Sequence, residues 1–149
     1  MQENLPERKK IRLKDYDYTQ EKMYFITICT KNRIETLGKI REEDIKLTME
    51  GEIVKQNISK LEGIYKNIKI DEYIIMPNHI HILLLINYKN GTTISKIIKH
   101  LKTNISREIK YSIWQKSFYE HIIRNEKEYL KIKEYIKNNV INWQSDKYF

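Results

Sequence analysis

At 149 residues, 40% of them hydrophobic, the chain is long enough to bury a core and too short for two ordinary domains. A single cysteine excludes an internal disulfide, the longest aliphatic run (Ile82 to Ile86) is too short to cross a bilayer, and no apolar signal core opens the sequence, so one cytoplasmic domain spanning 1–149 and no membrane contact are expected. With 28 Lys+Arg against 20 Asp+Glu the formal charge is +8, which favours a polyanionic partner such as nucleic acid, although Lys, Ile, Asn and Tyr are also what an AT-rich genome encodes, and that halves the weight of the charge.

Residues 1–21 are polar and follow neither the helical nor the strand period. Their basic residues, Arg12 and Lys14 among them, mark them as an N-terminal arm, by charge alone as much a solvated tail as a clamp. Met23 to Thr30 is β-branched and aromatic and reads as a strand, with Cys29 as a buried thiol. The next segment is irregular, with short strands expected near Thr36 to Ile40 and Ile45 to Thr48. From Met49 to Tyr65, Ile53, Val54, Ile58, Leu61 and Ile64 recur at helical spacing despite Gly51 in the first turn. Asn67 to Met76 alternates as a strand, Pro77-Asn78 breaks it, and His79 to Ile86 is its apolar antiparallel neighbour. Thr92 or Thr93 caps a helix to Lys110, apolar on one side and carrying Lys96, Lys99, Lys102 and Arg107 on the other, which is either a phosphate path or a plain solvated face. Ser117 to Ile123 reads as one more strand. Asn125 then caps a third helix from Glu126 to Asn139, with Glu128 at the third position as a capping box requires. This order predicts an α+β domain, with helices packed on an antiparallel sheet.

On a strand, His79 and His81 share a face with Leu83 and Leu85, while Ile80, Ile82, Leu84 and Ile86 occupy the other, as in a central strand covered on both sides. Two imidazoles in such a place need partners. A shared cation would satisfy both, and so would hydrogen bonds to the backbone. The residues after His81 are purely aliphatic, which speaks against a dinuclear zinc hydrolase. On the last helix Tyr135 and Asn139 are four apart and share a face. A phenol can attack phosphorus and an amide oxygen can ligate a hard cation; equally, the pair can be a half-buried aromatic and a helix cap.

Taken in order, Arg12-Leu13-Lys14-Asp15-Tyr16-Asp17-Tyr18, Tyr24 to Thr30, Asp71 to His81 and Trp114 to Arg124, with the tyrosine helix after them, resemble the successive blocks of the REP-associated tyrosine transposases. These proteins belong to the single-tyrosine HUH transposase superfamily. The resemblance runs from about Lys10 to the end. It implies a ferredoxin-like sheet with the histidine strand in its middle and the tyrosine on a helix beside it. It also implies that His79, His81 and Asn139 ligate Mg²⁺ or Mn²⁺, that Tyr135 is the nucleophile, and that Lys102 is the basic position of the helix facing DNA. The implied reaction is cleavage and transfer of single-stranded DNA at a hairpin through a 5′-phosphotyrosine, with the basic arm on the hairpin foot and a homodimer favoured; Trp114 is either a base-stacking residue or part of the core. Where the family has proline after the asparagine, this chain has Val140. The alternative is a domesticated, non-catalytic nucleic-acid-binding module, whose DNA affinity would ignore chelators and survive Tyr135→Phe.

Overall fold

Two long apolar strands, each alternating between two buried faces, form the centre of the molecule. The first, β1 (Glu21–Cys29), pairs antiparallel along its whole length with β5 (His79–Asn87), so that Phe25 faces Leu83, Thr27 faces His81 and Cys29 faces His79. In the computed structural model the described residues are 21–88, 92–141 and 143; the basic arm, with Arg12 and Lys14, lies outside them. The remaining elements are β2 (Gly38–Arg41), β3 (Asp44–Leu47), α1 (Met49–Ile64), β4 (Ile68–Met76), α2 (Ile94–Ile109), β6 (Tyr119–Ile123) and α3 (Glu126–Lys137). The main sheet has the order β4-β5-β1-β6, every neighbouring pair antiparallel, and β2 and β3 form a separate hairpin between β1 and α1. This is the ferredoxin-like βαββαβ arrangement with the histidine strand inside the sheet, as expected.

The alternation of β5 decides which helix covers which face. Ile80, Ile82, Leu84 and Ile86 join Ile26 and Ile28 in a core closed by Val54, Ile58 and Leu61 of α1 and by Ile97, Ile98, Leu101 and Ile105 of α2. On the other face Met23, Phe25 and Leu83 meet α3 through Tyr129, Ile132 and Ile136. Thr93 accepts from Lys96 N–H and Asn125 from Glu128 N–H, as expected, and Thr48, which the sequence reading placed in a strand, caps α1 by accepting from Gly51 N–H. Gly51 is required where it stands, because a Cβ there would lie 2.2 Å from the Leu37 carbonyl oxygen. Among the described residues no helix is long and apolar enough to cross a membrane.

Four local expectations shift. The hairpin strands lie at Gly38–Arg41 and Asp44–Leu47, joined by Glu42 and Glu43 with φ of 51° and 64°, a left-handed pair normally announced by Asn or Gly. The last strand begins at Tyr119, because the carbonyls of Gln115, Lys116 and Ser117 accept from the Lys102 ammonium. The last helix ends at Lys137, with Asn138 as its cap, so Asn139 stands in the following turn, and the helix stops without the family's proline. In the capping box, Glu128 accepts from the Arg124 N–H, one residue before the cap.

Candidate functional site

Both imidazoles are fully buried on the face that α3 covers, with ring centroids 4.6 Å apart. Each ring is held through Nδ1. His79 Nδ1 lies 2.9 Å from the Asn78 carboxamide oxygen, which makes Nδ1 the N–H donor and Nε2 the basic nitrogen. His81 Nδ1 lies 2.9 Å from the hydroxyl of Thr27, its partner across the β1–β5 ladder. With Nδ1 spent in both rings, Nε2 is the atom each would offer a cation. Aromatic rings fix the planes: Phe25 stacks on His81 at 5.0 Å, and Trp143 lies nearly parallel to His79 at 6.0 Å.

The tyrosine helix brings its phenol to this pair. Tyr135 Oη lies 3.5 Å from His81 Nε2, and its ring meets the edge of Phe25 at 6.2 Å. Hydrophobic burial of Tyr129, Ile132 and Ile136 sets the rotation of α3, and one polar cluster sets its position along the sheet. Tyr129 donates to Asp71 of β4 at 2.6 Å, and Lys133 donates to Tyr129 at 3.1 Å. Asn139 is fully buried one turn beyond Tyr135 and four residues before Trp143, so residues touching the histidine pair flank it on both sides.

Among the described residues no three His, Cys, Asp or Glu side chains converge. Asn139 is the candidate third donor by burial and by sequence position. Two imidazole nitrogens and one amide oxygen are a donor set that suits a divalent cation such as Mn²⁺ or Mg²⁺.

The basic residues take a different place. Helix α2 packs on the opposite face of the sheet, so Lys96, Lys99 and Arg107, all exposed, are separated from His79 and His81 by the thickness of the sheet. Lys102 is half-buried, and its ammonium donates to the Gln115 carbonyl at 2.7 Å and to those of Lys116 and Ser117 at 3.2 and 3.4 Å. Burial lowers its pKa from the ordinary lysine value. Trp114 is a core residue in this structure. The sequence reading missed Phe25, Thr27, Asn78 and Trp143. The first two share the histidine face of β1 by simple alternation and become visible once the strand register is known; Trp143 follows no period that would reveal it.

Comparison with known proteins gives a consistent outcome. The family described as transposase IS200 like matches residues 18–139. An uncharacterized protein of Haemophilus influenzae (strain Rd) is 36% identical, over 95% of this chain and 93% of that protein. A second protein of the same organism, described as a REP-associated tyrosine transposase, is 25% identical over 84% of this chain and 73% of its own length. Among solved structures, a REP-associated tyrosine transposase bound to a REP hairpin is similar with a TM-score of 0.66 and 24% identity, covering 81% of this chain and 67% of that one. A Deinococcus radiodurans protein described as a transposase follows, with a TM-score of 0.56 and 17% identity over 93% and 97% of the two chains. At those identities the two structures speak for the fold.

Proposed function

From a chain that belongs to the IS200-like transposase family, as its resemblance to the REP-associated tyrosine transposases implies, we infer a metal-dependent enzyme that cleaves and rejoins single-stranded DNA beside a hairpin. The observation that carries this reading is the 3.5 Å approach of the Tyr135 phenol to His81 Nε2, in a site where a second buried imidazole stands beside the first. Hairpin DNA as the partner is supported by the structural relative bound to a REP hairpin, and by the positive charge of this chain.

His79, His81 and Asn139 would hold Mg²⁺ or Mn²⁺, which when bound supplies Lewis acidity at the scissile phosphate. The Asn78 carboxamide oxygen keeps His79 in the tautomer that such a role requires, and Thr27 holds the orientation of His81. Tyr135 attacks phosphorus; the bond from phosphorus to the 3′ oxygen breaks, and the phenol proton ends on that oxygen. The products are a 5′-phosphotyrosine and a free 3′-hydroxyl. Attack by another 3′-hydroxyl reverses the exchange and joins new strands, so the phosphodiester energy is conserved and no nucleotide cofactor is consumed. Tyr135 and His81 belong to the same chain, so this chemistry does not require the favoured homodimer.

The test uses labelled single-stranded hairpins with Mn²⁺. A protein-DNA adduct that survives denaturation, vanishes in Tyr135→Phe and is suppressed by a chelator is expected. Absence of adduct across a panel of hairpins, with DNA binding retained, would replace this reading with the non-catalytic binding module.

A further inference from the structure

Across the sheet from the histidine pair lies a second feature to which the chemistry above gives no role. A cavity of about 620 Å³ opens between α2 and the connection leading to β6, within the size range of small-ligand sites. Among the described residues its lining contains four lysines and no carboxylate, together with Trp114, Gln115, Phe118 and several hydroxyl side chains. Lys102 is committed to backbone carbonyls, whereas Lys31, Lys99 and Lys116 are exposed at the rim. Within the wall, Trp114 Nε1 and Gln115 Oε1 are buried and have no hydrogen-bond partner among the described residues. An aromatic side chain and three exposed cations complement an object with a π-face and an anionic group.

We propose that this cavity receives one unpaired nucleotide of the bound DNA strand, its phosphate on Lys31, Lys99 and Lys116 and its base against Phe118. The position of the cavity fits a strand that also reaches the histidine pair. Cys29 pairs with His79, and directly beyond it the chain enters the cavity wall: Thr30 bridges Trp114, Gln115 N–H donates to the Cys29 carbonyl and Lys31 N–H to the Ile113 carbonyl. A strand leaving the imidazoles at this end of the sheet therefore has to round only the tip of β1. The inference rests on the proposed single-stranded DNA substrate and deepens it by a second contact.

The test exploits the tryptophan count. The chain has two, so in a Trp143→Phe background Trp114 is the reporter. Decathymidylate is titrated, with inorganic phosphate as the control. The expected result is a saturable change in Trp114 emission, weakened roughly tenfold by Lys99→Ala with Lys116→Ala and weakened also by Lys31→Ala on a different element. Silence of Trp114, indifference to all three lysines, or an equal response to phosphate alone would overturn the pocket. Adduct formation by the native chain alongside a silent Trp114 would discard the pocket and leave the cleavage reading standing; a responsive Trp114 without adduct would do the reverse.

Discussion

Thr27 is a hydroxyl residue in the middle of an apolar strand, fully covered, and its side chain touches His81. Replacing it by valine keeps the shape and removes the hydrogen bond. Thr27→Val should cost about 1 kcal/mol of stability in thermal denaturation and lower Mn²⁺ affinity by roughly 10- to 100-fold in a metal titration, as loss of a partner behind a metal-ligating histidine does. The lysines of α2 divide in the same residue-by-residue way. Lys99→Ala should reduce the slope of log affinity for single-stranded DNA against log salt by about 1, whereas Lys102→Met, which strips a donor from the Gln115 to Ser117 carbonyls, should register first as a lower melting temperature. At this scale the sequence was informative where a single period sufficed. Alternation put His79 and His81 on one face, whereas the four-residue spacing expected to put Tyr135 and Asn139 on one helical face ran past the helix end at Lys137. It was uninformative about Lys102, because a basic residue on a helix looks the same whether it faces phosphate or caps a loop.

Elements were read almost completely, since the chain carries a Thr or Asn cap ahead of each helix and clean apolar alternation in each long strand. Gly51 was the one sign against α1, and the close Leu37 carbonyl explains it. Gly51→Ala should therefore destabilise the protein in denaturant titrations, although alanine favours a helix over glycine by about 1 kcal/mol. Helix α3 depends on a lateral anchor as well as on its apolar stripe: Tyr129→Phe, which removes the hydroxyl shared with Asp71 and Lys133, should lower stability by about 1 kcal/mol and reduce adduct yield by letting Tyr135 drift. The start of α3 carries a pH signature. Burial pushes the Glu128 carboxyl up, yet the Arg124 N–H and His121 outweigh it and hold the carboxyl below its ordinary value. Stability from this group is present above the ordinary carboxylate pKa and fades as pH falls through the depressed one. Glu128→Gln should lower the melting temperature near neutrality, with the gap closing below about pH 4, and its partial exposure keeps the effect under about 1 kcal/mol.

Among the described residues, two helices cover one face of the sheet and a single helix covers the other, which is the face that carries the imidazoles. The order of helices and strands sufficed for an α+β domain with helices on an antiparallel sheet, and the family resemblance supplied the ferredoxin-like arrangement. The assignment of α2 and α3 to opposite faces was not legible, because handedness and sheet order decide it and no side chain records them. Charge was a weaker guide, since the basic residues of α2 and the buried histidine pair turned out to lie on opposite faces of the sheet. What joins those places is Thr30. Its N–H and hydroxyl both reach the Asn78 carbonyl, at 3.0 and 3.1 Å; the hydroxyl also reaches the Ile34 carbonyl at 2.7 Å, and its backbone bridges Trp114. One covered residue thus rivets together the head of the histidine strand, the approach to the hairpin and the floor of the lysine-rimmed hollow. Tension applied at any of the three is shared by the others, and Thr30→Ala should show it as amide exchange that quickens at Lys31, Leu37 and Gln115 together rather than one at a time.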